Sequence, residues 1–189
     1  FRTVKDYDNW LARAASFPAV IDDWIADMKA GIKAGVVLPK ALVLPMLPQL
    51  EALGSDDLDK NVYFSPAKKF PAGFSEEEQK RLTAAYTKLV KETMAPAHRK
   101  LLAFVRDTYL PASRATVGLS AIPGGAEWYA FHAKSSTTTD LSPDVIHKIG
   151  LDEVARIRAR FEKPKDRTGF KGSLKEFLAL LNTAPELRF

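Results

Sequence analysis

The chain has 189 residues, 46% hydrophobic and 27% charged, which excludes a disordered or fibrous polypeptide and suffices for one helical domain or fragment with a real core. Its formal net charge is +5, but the basic residues interleave with 23 acids, a balance that favours solubility over a nucleic-acid surface. There is no cysteine, which excludes thiol catalysis, cysteine-held zinc and disulfide staples; this suits a periplasmic or secreted protein and is equally allowed in the cytosol.

No apolar run approaches the roughly 18–20 residues of a membrane span, so no span is expected, and no leader pattern opens the sequence. Phe1 stands first and an amphipathic pattern starts at once, as in a processed chain or a fragment. Tyr7, Trp10, Leu11, Ala14 and Phe17 recur at spacings of three and four, the mark of a helix with one buried stripe. Pro18 fits the first turn of a second helix, which Val20, Ile21, Trp24, Ile25, Met28 and Ile32 carry to a stop at Gly35. A third helical segment runs from Pro39 to Leu53, bent or shortened by Pro45 and Pro48. Residues 54–74 lose periodicity and read as a loop.

Ser75 and Glu78 form a capping box, and one long apolar stripe follows from Leu82 to Tyr109, ending at Pro111 with a kink expected at Pro96. Gly124 and Gly125 introduce the short helix "AEWYAFHAK". Ser142, Pro143 and Asp144 give the preferred order of a helix start, after which Val145, Ile146, Ile149, Val154, Ile157 and Phe161 keep the helical period. Ser173 and Glu176 cap a last helix that stops at Pro185. No stretch alternates with period two, so the fold class is all-α, a multi-helix bundle with one long kinked helix.

Chemistry-bearing motifs are sparse. His98, His132 and His147 are the only histidines; no two lie one helical turn apart, so an H-E-x-x-H zinc site cannot form, and each reads as a surface or capping residue. "GLSAIPGG" lacks the second glycine of a G-x-S-x-G elbow. Gly124 and Gly125 before a helix could present N–H groups to an anion, against the weightier reading of a tight turn. Thr137, Thr138 and Thr139 form either a hydroxyl cluster for a substrate backbone or the polar turn before the next helix. Asp152 and Glu153 are adjacent and point to different sides of their helix; they suit surface ion pairs with Arg156 and Arg160.

"YLPASRATVGLSAIPGGAEWYAFHAKSSTTTDLSPDVIHKIGLDEVARI", residues 109–157, strongly resembles the bacterial domain-of-unknown-function family 885. The shared words are Y-L-P-x-x-R at Tyr109 to Arg114, G-L-x-x-[IL]-P-G-G at Gly118 to Gly125, Tyr129, the T-T-T-D-L run, and I-H-x-I-G-L-x-E-V-A-R-I at Ile146 to Ile157. "GIKAGVVLPKALV" and "GFKGSLKEFLALL" extend the resemblance over nearly the whole chain. It implies the N-terminal half of a larger, mostly helical, zincin-like protein related to zinc metallopeptidases, with a periplasmic or cell-envelope location. The family's metal-site words, H-E-x-x-P-G-H and E-G-W, do not occur here. The resemblance therefore implies no catalytic or metal-binding residue and no cofactor in this chain, with zinc held in the full-length protein by its C-terminal half, the chain's expected partner. It also implies that Gly124, Gly125, Tyr129, Thr137, Thr138 and Thr139 line a cleft and hold an extended peptide substrate. Neither nucleic acid nor a membrane span is expected as a partner, and the rival reading is a non-catalytic helical binding or scaffold module.

Overall fold

The computed structural model describes residues 1–185. Among them every regular element is helical and the only strand-like pairing is one isolated bridge between Pro39 and Arg114, and the chain forms two compact units that meet in sequence at Gly125 and Ala126.

The first unit opens with α1 (Val4–Ala14) and α2 (Phe17–Ala34). Thr3 and Asp6 form a capping box at the head of α1, so the amphipathic pattern that starts near Phe1 has its own helix start. Left-handed Gly35 closes α2. The expected third helix is broken at Pro45 into α3 (Lys40–Val43) and α4 (Met46–Leu53), because a proline inside a helix lacks the N–H and crowds the carbonyl four residues back.

The long helix is continuous from Glu76 but not uniform. It runs as α5 (Glu76–Leu89), a π-helical turn (Val90–Met94), α6 (Ala95–Phe104), a second π-helical turn (Val105–Tyr109) and α7 (Leu110–Ala112). Each π turn ends two residues before a proline, Pro96 and Pro111. In each, the bond spans five residues, Ala95 N–H to Val90 carbonyl and Leu110 N–H to Val105 carbonyl. The wider turn makes room for the proline ring, and the expected kink at Pro96 takes this form.

α2 and α4 pack on α6, and α1 packs on α5. Ile21, Ile25, Val43, Leu50, Leu101, Val105 and Tyr109 form one buried cluster; Tyr7, Phe64, Leu82, Tyr86 and Val90 form another. The segment expected as a loop contributes to the second. Asn61 is buried and fully bonded: its Nδ2 donates to the carbonyls of Leu53 (3.2 Å) and Ser55 (2.9 Å), and its Oδ1 accepts from Tyr63 N–H (3.0 Å). That pinning starts a 3₁₀ helix (Val62–Lys68) that inserts Phe64 and Ala67 into the core. No periodicity could reveal it, since the anchor is a polar side chain reaching back to a helix end.

His98 also departs from expectation, being buried rather than at the surface. The Met94 carbonyl can only accept, so the Nδ1–H of His98 donates to it (2.8 Å), leaving Nε2 to accept from the Tyr63 hydroxyl (3.3 Å). Phe17 stacks on the ring at 5.1 Å.

A clamp joins the end of the long helix to the segment after α2. The Tyr109 hydroxyl accepts from Leu38 N–H at 3.0 Å. Arg114 donates from Nε to the Val37 carbonyl (3.0 Å) and from Nη1 to the Gly118 carbonyl (2.8 Å) and the Thr116 carbonyl. Its own backbone pairs with Leu38 and Lys40, Arg114 N–H to Leu38 carbonyl at 3.2 Å and Lys40 N–H to Arg114 carbonyl at 2.7 Å.

The second unit contains α8 (Gly125–Thr137, whose first residue closes the first unit), α9 (Pro143–Arg167) and α10 (Leu174–Thr183). α9 and α10 form a hairpin, with Phe170 against buried Phe177 at 5.5 Å. The ion pairs of α9 are Lys148 with Asp152 (2.7 Å) and Arg156 with Glu153 (2.6 Å), so Asp152 serves Lys148 and not Arg156. α9 buries no residue at all. Its apolar stripe, read from sequence as the mark of a packed helix, lies open to solvent at Val145, Ile149, Val154, Ile157 and Phe161.

Two outcomes follow. Burial holds His98 below the usual histidine range, so the unfolded state takes up a proton first as pH falls through about 6.5. Stability is therefore full above that value and declines as pH falls below it, and urea midpoints should show this slope flattened in His98→Gln. Arg114→Ala should destabilise the chain by about 3 kcal/mol in denaturant unfolding and Tyr109→Phe by about 1 kcal/mol, from the loss of bonds to backbone groups. Arg114→Lys should recover little, because an ammonium cannot span the fork.

Candidate functional site

The six residues proposed to line a cleft are spread along α8 and its two flanks, with Tyr129 one turn inside the helix. Gly124 and Gly125 stand at its N-terminal end, whereas Thr137 is its last residue. Twelve residues at about 1.5 Å rise put roughly 18 Å between them.

The glycines answer to local geometry. Gly124 has φ +67°, and a Cβ there would meet nothing within 4 Å. Gly125 is buried, and its N–H donates to the Ile122 carbonyl at 2.9 Å. A Cβ on it would stand 2.0 Å from the Leu119 carbonyl oxygen and 2.9 Å from the Ile122 side chain. Only glycine fits where the chain turns from the 3₁₀ segment Leu119–Ala121 into α8.

At the other end the threonines close the helix. The Thr137 hydroxyl donates to the Ala133 carbonyl (2.8 Å) and lies 3.0 Å from the Thr139 hydroxyl. Thr138 N–H donates to the Lys134 carbonyl (2.8 Å), and its hydroxyl to the Thr137 carbonyl (2.7 Å). Thr138 has φ +56° and is the only non-glycine residue at positive φ among the described residues. For a β-branched residue that conformation is strained, and such strain concentrates at functional positions.

Tyr129, half exposed on α8, and Thr137 line one shallow depression of about 340 Å³ with Ala133, Pro143, Ile146 and His147. The structure thus brings together two of the six residues in this depression and adds His147, which the sequence presented as a surface or capping residue. The depression presents a phenol, a threonine hydroxyl and an imidazole over an apolar floor, groups that can donate to and accept from a peptide backbone without a fixed charge. Lys134 and Asp140 pair beside it at 2.6 Å.

No three His, Cys, Asp or Glu side chains gather to hold a metal ion among the described residues, so the groups present do not fit zinc. No helix among them is long and apolar enough to cross a membrane. Reasoning from sequence did not find the clamp role of Tyr109 and Arg114; the word Y-L-P-x-x-R holds both residues and is silent on what they touch.

Replacing Thr138 by Gly should raise the stability of the chain by about 1–2 kcal/mol, the cost of a left-handed conformation for a residue with Cβ, measured by thermal or urea unfolding.

Comparison with known proteins gives a family and solved structures of similar fold. No curated protein matches. The crystal structure of the "putative lipoprotein" from Colwellia psychrerythraea superposes with a TM-score of 0.83 at 24% identity, over 98% of this chain and 32% of that one. The chain therefore spans about a third of the length of that protein, and the likeness establishes the all-helical fold. A family profile described as bacterial protein of unknown function, DUF885, matches residues 1–189, and the chain belongs to that family.

Proposed function

We propose that this chain is the N-terminal helical part of a zinc-dependent, peptidase-like hydrolase, and that its share of the work is to hold an extended peptide rather than to bind the metal. The observation that carries the reading is the open apolar face of α9, five large side chains long, on a chain that matches only a third of its structural neighbour's length. Faces of that size are seldom left in water by a complete protein. The peptidase assignment itself rests on the family words, and the metal would belong to residues outside this chain. Within it, the Tyr129 hydroxyl, His147 and the Thr137–Thr139 turn would bond backbone groups of the peptide. The neighbour's description as a lipoprotein accords with a cell-envelope location.

A second reading, a non-catalytic helical binding or scaffold module, draws on the threonine turn. The Thr137 and Thr138 hydroxyls already donate to backbone carbonyls, which suffices to explain them as a helix stop.

The full-length gene product decides between these. It should contain about one zinc by elemental analysis and hydrolyse a peptide library, with activity lost to a chelator and restored by zinc. Tyr129→Ala and Thr138→Ala should each lower kcat/KM about tenfold or more while leaving zinc content unchanged. Peptide hydrolysis indifferent to both substitutions would remove the binding role, and a stable zinc-free protein without turnover would establish the scaffold reading.

A further inference from the structure

The hairpin of α9 and α10 carries a groove of about 690 Å³. Val154, Ile157, Phe161, Leu174 and Leu178 give it an apolar floor, and Arg158, Lys175, Ser173 and Glu162, the last paired with Lys165, line it as well. Val154, Ile157 and Phe161 are 59%, 44% and 45% exposed, so the floor meets water along its length.

The charge around it is strongly one-sided. From Arg156 to Lys175 there are eight lysines and arginines against Glu162 and Asp166 alone, a net +6, whereas the whole chain nets +5. Over the whole hairpin, residues 143–183, nine lysines and arginines stand against six acids, a net +3 of the chain's +5, and the excess is concentrated in the stretch from Arg156 to Lys175. The two acids are both engaged by Lys165 and Arg156 is engaged by Glu153, while Arg158, Arg160, Lys163 and Lys175 have no ion-pair partner among the described residues.

We infer that this groove seats an acidic amphipathic helix from the part of the same protein beyond residue 189. This rests on the reading that the chain belongs to a longer protein, and it specifies which face the remainder covers and with what chemistry. A trough between two helices accepts a third helix by ridge-into-groove packing, with apolar side chains at i, i+3/i+4 and i+7 on Val154, Ile157, Phe161 and Leu178, and carboxylates flanking them toward Arg158, Arg160 and Lys175. The alternatives fit less well. A second copy of the chain would bring two net-positive surfaces together, which like-charge repulsion opposes. A bilayer is flat or convex against a protein and would leave the floor of a trough uncovered. A nucleic acid would satisfy the cations and leave the apolar floor wet.

Carbodiimide coupling tests this on the full-length protein, because it joins a lysine amine directly to a carboxylate in contact with it. Peptide mass spectrometry should find Lys175 linked within one molecule to Asp or Glu of a helical stretch beyond residue 189. Arg158→Glu with Arg160→Glu, both at exposed positions, should lower that yield at least fivefold with the circular dichroism unchanged. Links between copies, links confined to residues 1–185, or no link at Lys175 would each overturn the inference. So would binding to vesicles containing anionic lipid that the same double variant abolishes, which would assign the groove to a membrane surface. Linkage in a protein that hydrolyses no peptide would keep the docking helix and reject the hydrolase; a zinc peptidase unlinked at Lys175 would do the reverse.

Discussion

The first unit depends on one arginine. Arg114 follows the end of the long helix and bonds the Val37, Thr116 and Gly118 carbonyls with its guanidinium, while its backbone pairs with Leu38 and Lys40. A planar fork with five donors can gather carbonyls from separate strands of chain, where an ammonium would reach fewer. Tyr109 takes the Leu38 N–H of the same segment. Through these bonds the stretch after α2, the end of the long helix and the turn leading to α8 are held together. The segments "GIKAGVVLPKALV" and "YLPASR" are thus the two sides of one joint.

The two units differ in how their apolar surface is used. In the first, stripes on α1, α2, α4 and the long helix close on each other, and even the segment between Gly54 and Phe74 adds Phe64 and Ala67 to a cluster. In the second, α9 presents the same period with no buried residue. Periodicity is a property of one helix; burial requires a second surface opposite it. Arg158 and Lys175 line the same groove as the apolar side chains of the α9–α10 hairpin, although clustered like charge opposes compactness.

The glycine–threonine stretch resolves into parts with different causes. Gly125 is required by the Leu119 carbonyl, an internal reason. Thr138 has none of that kind: a glycine would serve the turn better, and the chain carries a threonine in a left-handed conformation regardless. Strain without a packing return draws attention to the Tyr129, Thr137 and His147 depression more than any single hydroxyl does.

What the sequence by itself determined is local. Helix starts at Ser75, Ser142 and Ser173, the stop at Gly35 and the break at Pro45 depend on bonds within four residues, so a reading along the chain reaches them. The bend at Pro96 was legible for the same reason, although its π-helical form was not, because the helix has several ways to avoid the ring. The tertiary structure alone decided the rest. Burial of His98 depends on Phe17 and Tyr63, which arrive from 81 and 35 residues away in the chain. The order of residues 54–74 depends on Asn61 reaching a helix end, and the clamp depends on Arg114 meeting Val37 across 77 residues. The exposure of α9 depends on what stands opposite it, and contacts between distant residues leave no periodic trace in a single sequence.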